Sequence, residues 1–398
     1  MAKKQLLTLF FCNLIIWTLG NGLLPLLPIY AATLDASPTV IGYYLAASYL
    51  AMAVGTIAAG RLAEQFGGYK RLLVGAGLLC APALGLMGQA ATTGILVVLT
   101  MLVWFLVGVI VALLNIVAGL SVNPAERGKV FGVVFLSVPL GALAGGATLG
   151  ALADWGGYGT MFFIMALGWL SLPIVAAFFL IEPDTPQRSQ STSLPLPSAS
   201  LFANRSFALV VIATILASTT VFVGRLGTSL SMEKLQFTST MVSSTAAVGG
   251  LVALPLIPLL GTLSDKLGRR GLLMLLYGSA TLGVLTLDWA TELWHFWLAA
   301  SLLSISAYGN GTLSVALAND LLPRALLNKG LSLFSSTMWI AGIIGFAGTG
   351  VLLEYWGPTL VFAGGAALPI VAGLLLLSAR PKHSEALAHA QPVRQSWS

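Results

Sequence analysis

Residues 95–122 read ILVVLTMLVWFLVGVIVALLNIVAGLSV and contain no charged side chain. An α-helix rises about 1.5 Å per residue, so about 20 mainly apolar residues are enough to cross the hydrocarbon core of a bilayer. A helix that is apolar on every side has no face for water, unlike a helix at the surface of a soluble domain. This stretch therefore predicts a membrane-spanning helix.

Eleven further stretches of similar length and composition flank it on both sides. They are Leu6–Ala31, Thr39–Ala59, Leu72–Ala90, Val130–Leu152, Thr160–Ile181, Ser206–Ser231, Thr240–Leu263, Gly271–Trp289, His295–Ala318, Gly330–Leu353 and Thr359–Ala379. Charged residues make up only 8% of the chain, whereas a typical soluble domain is about a quarter charged. The runs are also too long and too continuous for the alternating strands of an outer-membrane barrel. We therefore predict an all-α membrane protein with twelve transmembrane helices.

The basic residues indicate how the predicted spans are oriented. If the N-terminus lies inside the cell, all but two of the 19 Lys and Arg residues fall in cytoplasmic segments. The exceptions are Lys234, in a predicted outer loop, and Arg225, inside a predicted span. Because cytoplasmic loops carry an excess of Lys and Arg, we predict a multi-pass protein of the plasma (inner) membrane with both termini in the cytoplasm. The net charge of +6 then reflects topology, and we expect no nucleic-acid partner.

Two polar segments divide the chain. Residues 182–205 and 380–398 are rich in Ser, Pro and Gln, as expected of a cytoplasmic linker and a cytoplasmic tail. The linker separates residues 1–181 from residues 206–379, and each of these parts contains six predicted spans. We therefore predict two six-helix bundles.

A short motif repeats at the same place in each half. Gly60-Arg-Leu-Ala-Glu-Gln-Phe-Gly67 follows the second predicted span, and Gly261-Thr-Leu-Ser-Asp-Lys-Leu-Gly268 follows the eighth, 201 residues later. Transporters built from parallel repeats show internal similarity of this kind, with the halves related by an axis along the membrane normal. We predict such a pseudo-two-fold axis between the two bundles.

The second copy of this motif, with the two residues after it, resembles the loop signature of the major facilitator superfamily, Gly-x-x-x-Asp-(Arg/Lys)-x-Gly-(Arg/Lys)-(Arg/Lys). Its matching residues are Gly261, Asp265, Lys266, Gly268, Arg269 and Arg270. The first copy is less complete, because Glu64 replaces the Asp, Gln65 replaces the basic residue, and the basic pair is displaced. Its corresponding residues are Gly60, Glu64, Gly67, Lys70 and Arg71. The resemblance covers all twelve predicted spans.

This resemblance implies a monomeric secondary transporter that moves a small organic solute across the lipid bilayer by alternating access. It implies neither an enzyme nor a metal or other cofactor. The family's fold places the loop acid of each half against the start of a helix in the other half. Asp265 would then meet the start of the fifth span near Arg127 and Lys129, and Glu64 would meet the start of the eleventh near Lys329. These contacts would latch the cytoplasmic side; the alternative is that the charges only cap helices and set the topology.

The first span resembles that of the drug-efflux members of the superfamily. It carries a Leu-Gly pair followed by Pro25 and Pro28, one residue short of the usual spacing. Two other efflux signatures differ, because Trp104 stands where a fourth-span Arg is expected and the fifth span lacks the Gly-Pro pair near Pro139. Export is therefore the predicted direction on the first-span resemblance alone. An uptake permease or an uncoupled facilitator of the same fold is the alternative.

The resemblance also places spans one, four, seven and ten around a central cavity, and each of them carries polar side chains at helical spacing. Five residues from these spans are candidate substrate-binding residues: Asn21, Asn115, Arg225, Tyr308 and Asn310. Arg225 is the first of them, because a charge inside a membrane is costly and usually functional. The alternatives are that Arg225 snorkels to the outer interface and that the asparagines only tie helices together.

The acidic residues bear on coupling. All 13 carboxylates fall in loops or at span ends, whereas a proton relay normally uses an acid or a His within the membrane. If protons are the coupling ion, an end residue such as Asp320 carries them; otherwise transport is uncoupled. The chain has no Gly-x-x-x-x-Gly-Lys-(Ser/Thr) loop, which excludes ATP-driven transport. It also lacks the intramembrane catalytic cluster of an enzyme and the soluble output domain of a sensor.

Overall fold

A computed structural model describes residues 3–122, 126–182, 204–322, 326, 330, 333–334 and 336–378, without the side chains at positions 127, 129, 261 and 265. All regular secondary structure in these residues is helical. In chain order the helices are α1 (Lys3–Leu23), α2 (Leu26–Ala32), α3 (Pro38–Gln65), α4 (Tyr69–Met87), α5 (Thr93–Leu120), α6 (Arg127–Phe135), α7 (Ser137–Trp169), α8 (Ser171–Phe179), α9 (Arg205–Lys234), α10 (Ser239–Leu267), α11 (Arg269–Asp288), α12 (Leu293–Leu321) and α13 (Thr337–Ser378). The predicted all-α fold class is confirmed for this part of the chain.

Nine helical stretches within the described residues are long and apolar enough to cross a membrane. Two of them, Val130–Phe179 and Thr337–Ser378, contain 50 and 42 residues, about twice the length that one crossing needs or more. Each is interrupted by a glycine in the left-handed region, Gly157 at φ 74° and Gly357 at φ 80°. These breaks fall where the sequence predicts an outer turn between two spans. Helix α12 holds the tenth predicted span but lies outside the nine, because its Ser, Asn and Gly residues make it less apolar.

Several helices begin at a side chain that caps their first turn. Ser37, Thr92 and Thr238 each accept a hydrogen bond from the backbone N–H three residues later, at 3.5, 3.4 and 3.3 Å. Each hydroxyl thereby satisfies one of the N–H groups that a helix start leaves free. Ser37 and Thr238 are 201 residues apart, the same interval as the two motif copies. The internal repeat therefore extends to the starts of α3 and α10.

The first predicted span, Leu6–Ala31, consists of two helices separated at Leu24 and Pro25. Proline has no N–H to donate to the carbonyl four residues earlier, and its ring displaces that carbonyl. Pro25 and Pro28 therefore leave the carbonyls of Asn21 and Leu24 without their helical donors. The break falls beside the cavity described below.

The halves of the chain meet along two seams, the α7–α10 seam and the α3–α13 seam. Glycines make the close approach possible. A Cβ at Gly150 would lie 2.2 Å from the carbonyl oxygen of Ser239, and a Cβ at Gly350 would lie 2.4 Å from that of Pro38 and 2.7 Å from the Cα of Gly42. Because backbone atoms cannot move aside as a flexible side chain can, these positions admit only glycine at this helix separation. Gly150 and Gly350 are 200 residues apart, so the two seams are built in the same way.

Candidate functional site

A central cavity lies between the two halves, with about 720 Å³ of empty space, part of it open to solvent. Residues before 182 and residues after 204 both contribute to its lining. The lining residues are Asn21, Leu24, Pro25, Pro28, Leu45, Ala142, Val221, Arg225, Leu226, Thr228, Ser229, Thr245, Ala246, Gly249, Gly250, Ala300, Leu303, Ser304, Tyr308 and Phe346. A largely apolar cavity with a few convergent polar groups suits a small organic molecule.

Arg225 of α9 lines this cavity and is half-buried. Its guanidinium carbon lies 5.7 Å from the centroid of the Phe222 ring, within the range of a cation–π interaction. The hydroxyls of Tyr49 and Tyr308 lie within electrostatic reach of the same group. Arg225 makes no ion pair with any residue that the structure describes. Its positive charge is therefore presented to the cavity against an aromatic surface.

Asn21 of α1 faces the same space from the other half. Its Nδ2 atom is buried and has no hydrogen-bond partner among the described residues. Its backbone carbonyl lacks a helical donor because Pro25 follows four residues later. Asn21 therefore brings an amide donor without a described partner to the lining of the cavity.

Asn310 of α12 lies elsewhere and is only 2% exposed. Its amide nitrogen donates to Ser218 Oγ at 3.1 Å, and its amide oxygen accepts from Ser314 Oγ at 2.7 Å and from the Tyr277 hydroxyl at 3.5 Å. These bonds join α9, α11 and α12, which is the helix-tying role that the sequence left open. Asn115 is half-buried and is absent from the lining of either cavity described here. The structure thus brings Asn21, Arg225 and Tyr308 together and leaves the other two candidates outside.

A second cavity adjoins the first and shares Asn21 and Leu24 with it. It has about 640 Å³ of empty space, and the described residues that line it are all uncharged. Four tryptophans contribute to its lining: Trp17, Trp104, Trp169 and Trp339. Trp104, which stands where efflux members carry an Arg, is therefore part of an apolar surface in this protein.

The cavity linings include two polar residues from other helices that the sequence did not single out. Tyr49 of α3 lines the second cavity, and Thr245 of α10 lines the central one. Both lie in predicted spans that were not assigned to the cavity. Both spans contain several other polar residues, so the sequence offered no means of selecting these two.

The loops that carry the repeated motif turn at glycines. Gly67, Gly68 and Gly268 have φ values of 74°, 135° and 71°, which favour glycine. Arg269 of the second copy pairs with Asp320 at the end of α12 and also donates to the Ala316 carbonyl at 2.8 Å. Asp320, the candidate for proton coupling, is thus held in an exposed ion pair.

The predicted cytoplasmic latch lies largely outside the described residues. The structure describes neither the side chain of Asp265 nor Lys329, and Arg127 and Lys129 lack described side chains as well. Glu64 is exposed at the end of α3. The latch therefore stays a prediction.

Two carboxylates join the halves at the predicted outer side. Asp154 of α7 accepts hydrogen bonds from the backbone N–H groups of Ser239 and Thr240 at 2.9 and 2.8 Å, and from Thr240 Oγ1 at 2.6 Å. Glu354 of α13 accepts from Ser37 Oγ at 2.8 Å and from the N–H of Thr39 at 2.9 Å. Each carboxylate thus caps the first turn of a helix in the opposite half. We call these contacts the outer caps.

A multi-pass helical protein whose two repeated halves both line a central cavity has the architecture of a membrane transporter. The comparison with known families gives the same class, because a sequence profile of the Major Facilitator Superfamily matches residues 7–287 and 210–398. The chain therefore belongs to the Major Facilitator Superfamily and is a membrane transporter of that fold.

Known relatives are similar over different lengths of the chain. The putative uncharacterized transporter YgaY of Escherichia coli strain K12 is 29% identical over 174 residues, which span 44% of this chain and 42% of YgaY. The nucleoside transporter NupG has a TM-score of 0.77 at 14% identity, covering 95% of this chain and 99% of NupG. The peptide transporter POT, solved in complex with sulfate, has a TM-score of 0.72 at 15% identity, covering 94% of each chain. At such identities the two solved structures show a shared fold.

Proposed function

We propose that this chain is a secondary transporter that moves a small organic solute by alternating access. The observation that carries the proposal is the central cavity, which is lined from both halves of the chain by residues such as Asn21 and Arg225. In alternating access, two bundles rock about a site near the bilayer midplane and expose it to one side at a time. A cavity shared between the halves opens to either side when the halves tilt.

The proposed architecture has twelve spans in two six-helix bundles, residues 1–181 and 206–379, joined by a cytoplasmic linker. Nine apolar stretches support it, since two of them are long enough for two crossings and are broken at Gly157 and Gly357. Helix α12 supplies the remaining span. The repeated motif, the repeated helix starts and the two equivalent seams all support a pseudo-two-fold axis.

Export is the proposed direction, and its support is the first-span resemblance to efflux members. The proline break beside the cavity gives that resemblance a structural role, because Pro25 and Pro28 both line the cavity. Uptake, or facilitated diffusion without a coupling ion, is the second candidate. It is favoured by the lack of a carboxylate among the cavity-lining residues.

Flux in proteoliposomes tests the proposal. Purified full-length protein is reconstituted, and a panel of organic solutes is assayed with and without a pH gradient, with protein-free liposomes as the control. We expect saturable flux of at least one solute class. A response to the gradient would identify protons as the coupling ion, and the side of accumulation would give the direction. Flux equal to that of protein-free liposomes for every class would contradict the proposed function.

A further inference from the structure

Arg225 makes no ion pair with the part of the chain that the structure describes. It lies in α9 beside the central cavity and is the one charged residue among the described residues that line either cavity. All 13 carboxylates of the sequence lie in loops or at span ends, so none is placed to neutralise it at this depth. A charge inside a membrane protein is costly to leave unpaired. A negative charge that pairs with Arg225 therefore has to come from a molecule in the cavity.

Asn21, which lines the same cavity, has a second donor without a described partner. Its buried Nδ2 atom has no acceptor among the described residues, and an unsatisfied buried donor is costly. An ionised carboxylate accepts hydrogen bonds at both oxygens and donates none, so it complements a guanidinium and an amide N–H group together. Asn21 and Arg225 come from opposite halves, so a carboxylate bound to both would also bridge the halves.

The adjoining cavity indicates the chemistry of the remaining part of such a ligand. It begins at Asn21 and is lined by the four tryptophans and by methionines such as Met52 and Met165. This surface suits an aliphatic or aromatic body. With a single fixed cation nearby, one negative charge on the ligand balances the site, whereas a second would be buried without a partner.

We propose that the substrate is an amphipathic organic acid that carries one negative charge. Its carboxylate binds between Arg225 and Asn21, and its apolar body lies against the tryptophans of the adjoining cavity. This inference rests on the proposed function, solute transport through the central cavity, and adds the chemical class of the solute. A neutral amide of the same shape leaves the Arg225 charge uncompensated and binds more weakly.

Calorimetric titration of the purified full-length protein tests the substrate class. The probes are acetate, octanoate, benzoate and phenylacetate, each compared with its neutral amide at constant ionic strength. We expect the longer acids to bind about tenfold more tightly than their amides, as for a charge-assisted pair. Arg225→Gln should remove this difference, and Arg225→Lys should keep part of it. Arg205→Gln removes an exposed charge at the start of the same helix and should keep all of it.

Several outcomes would overturn the substrate class. Equal affinity for acids and amides would do so, as would acid affinity that Arg225→Gln leaves unchanged. Displacement of every acid by chloride at equal concentration would show an inorganic anion site instead. Flux measurements separate this inference from the proposed function. If the acids bind but do not cross the membrane, the proposed transport function is contradicted and the proposed substrate class still holds. If the amides cross the membrane and the acids do not, the proposed substrate class is wrong and the proposed transport function still holds.

The outer caps carry a second inference, independent of the substrate. Asp154 and Glu354 are 200 residues apart, and the residues they hold at the helix starts, Thr240 and Thr39, are 201 residues apart. The caps therefore form a symmetric pair, one at the outer end of each seam. Each carboxylate accepts hydrogen bonds from N–H groups that are free at a helix start, and it places a negative charge at the positive end of that helix dipole.

We infer that the outer caps form a two-part latch that holds the cavity closed toward the predicted outer side. Opening the cavity outward separates α7 from α10 and α3 from α13, so both caps must break. Asp154 and Glu354 are exposed, so water can replace the lost bonds, which makes the latch reversible. This device stands on the opposite side of the membrane from the loop motif and uses different residues.

Labelling from outside the cell tests the latch. The reporter is Ser304→Cys, at a cavity-lining position, in a chain that also carries Cys12→Ala and Cys80→Ala. We expect a membrane-impermeant maleimide to label it about tenfold faster when Asp154→Ala and Glu354→Ala are combined, since each lost cap favours the outward-open state. Thr240→Val, which removes one hydroxyl donor and keeps the backbone bonds, should give a smaller increase.

Asp288→Ala is the matched control. Asp288 is exposed at the predicted outer end of α11, and its carboxylate accepts no hydrogen bond from a described residue. The control should keep the parent labelling rate. An unchanged rate in the double variant, or the same increase in the control, would overturn the latch.

Discussion

At the scale of single residues, the hydrogen-bond partners of an asparagine decide its role. Asn310 is surrounded by Ser218, Ser314 and Tyr277, and its amide is satisfied by protein. Asn21 has an amide nitrogen without an acceptor among the described residues and lies at the cavity. The sequence placed Asn21 in a polar stripe and Asn310 beside one, and it could not separate their roles, because Ser218 and Tyr277 come from other helices. Satisfied donors stabilise the fold, whereas free donors are available to a ligand.

Replacing Asn310 with Ala should lower stability and leave ligand binding intact. The substitution strips Ser314 and Tyr277 of their acceptor in a buried site, and we expect a loss of about 1–2 kcal/mol. Thermal unfolding in detergent measures the loss, with Asn115→Ala as the control at a half-buried position. Reduced carboxylate affinity with unchanged stability would mean that Asn310 contacts the substrate instead.

At the scale of helices, prolines and glycines decide where the elements break and how closely they approach. Pro25 divides the first span beside the cavity, while Gly157 and Gly357 interrupt two long helical stretches at equivalent points. Gly150 and Gly350 allow the two seams to close to backbone contact. The helix breaks and the close helix contacts are therefore set by prolines and glycines, which carry no polar side chain.

Gly350→Ala should weaken the α3–α13 seam. The new methyl group would meet the Pro38 carbonyl oxygen at 2.4 Å, and overpacking of this kind costs about 1–3 kcal/mol. The expected results are a lower unfolding temperature and faster outside labelling of the Ser304→Cys reporter. Gly348→Ala is the matched control in the same helix, because a Cβ there meets nothing within 4 Å. Equal effects of the two substitutions would show that the seam is not closely packed at Gly350.

Sequence patterns predicted the elements better than the contacts between them. Apolar runs such as residues 95–122 are local signals, so the helical fold class followed from composition and length. Arg225 was found because a charge in an apolar run is conspicuous. The sequence did not indicate Tyr49 or the outer caps, because their roles depend on which helices become neighbours in the fold. In the sequence, Asp154 and Glu354 resemble ordinary loop acids; their role follows only from their hydrogen bonds to helix starts in the opposite half.

At the scale of the whole molecule, the two halves share repeated contacts but contribute different residues to the central cavity. The seams and the outer caps recur at an interval of about 200 residues, yet Arg225 belongs to the second half and has a leucine, Leu24, at the position 201 residues earlier. Symmetric contacts suit a rocking motion, in which both seams open and close together. The asymmetric cavity suits recognition of a solute with one charged end. We therefore propose that motion and recognition depend on different parts of the same interface.

A reversible lock of the α7–α10 seam tests alternating access most directly. Asp154→Cys and Thr240→Cys place two thiols where Asp154 Oδ2 and Thr240 Oγ1 now lie 2.6 Å apart, and both natural cysteines are buried. Flux of the solute identified in proteoliposomes is measured after oxidation and again after reduction, with each single cysteine variant as the control. We expect cross-linking to stop flux and reduction to restore it, with no effect in the single variants. Continued flux through the fully cross-linked protein would contradict alternating access.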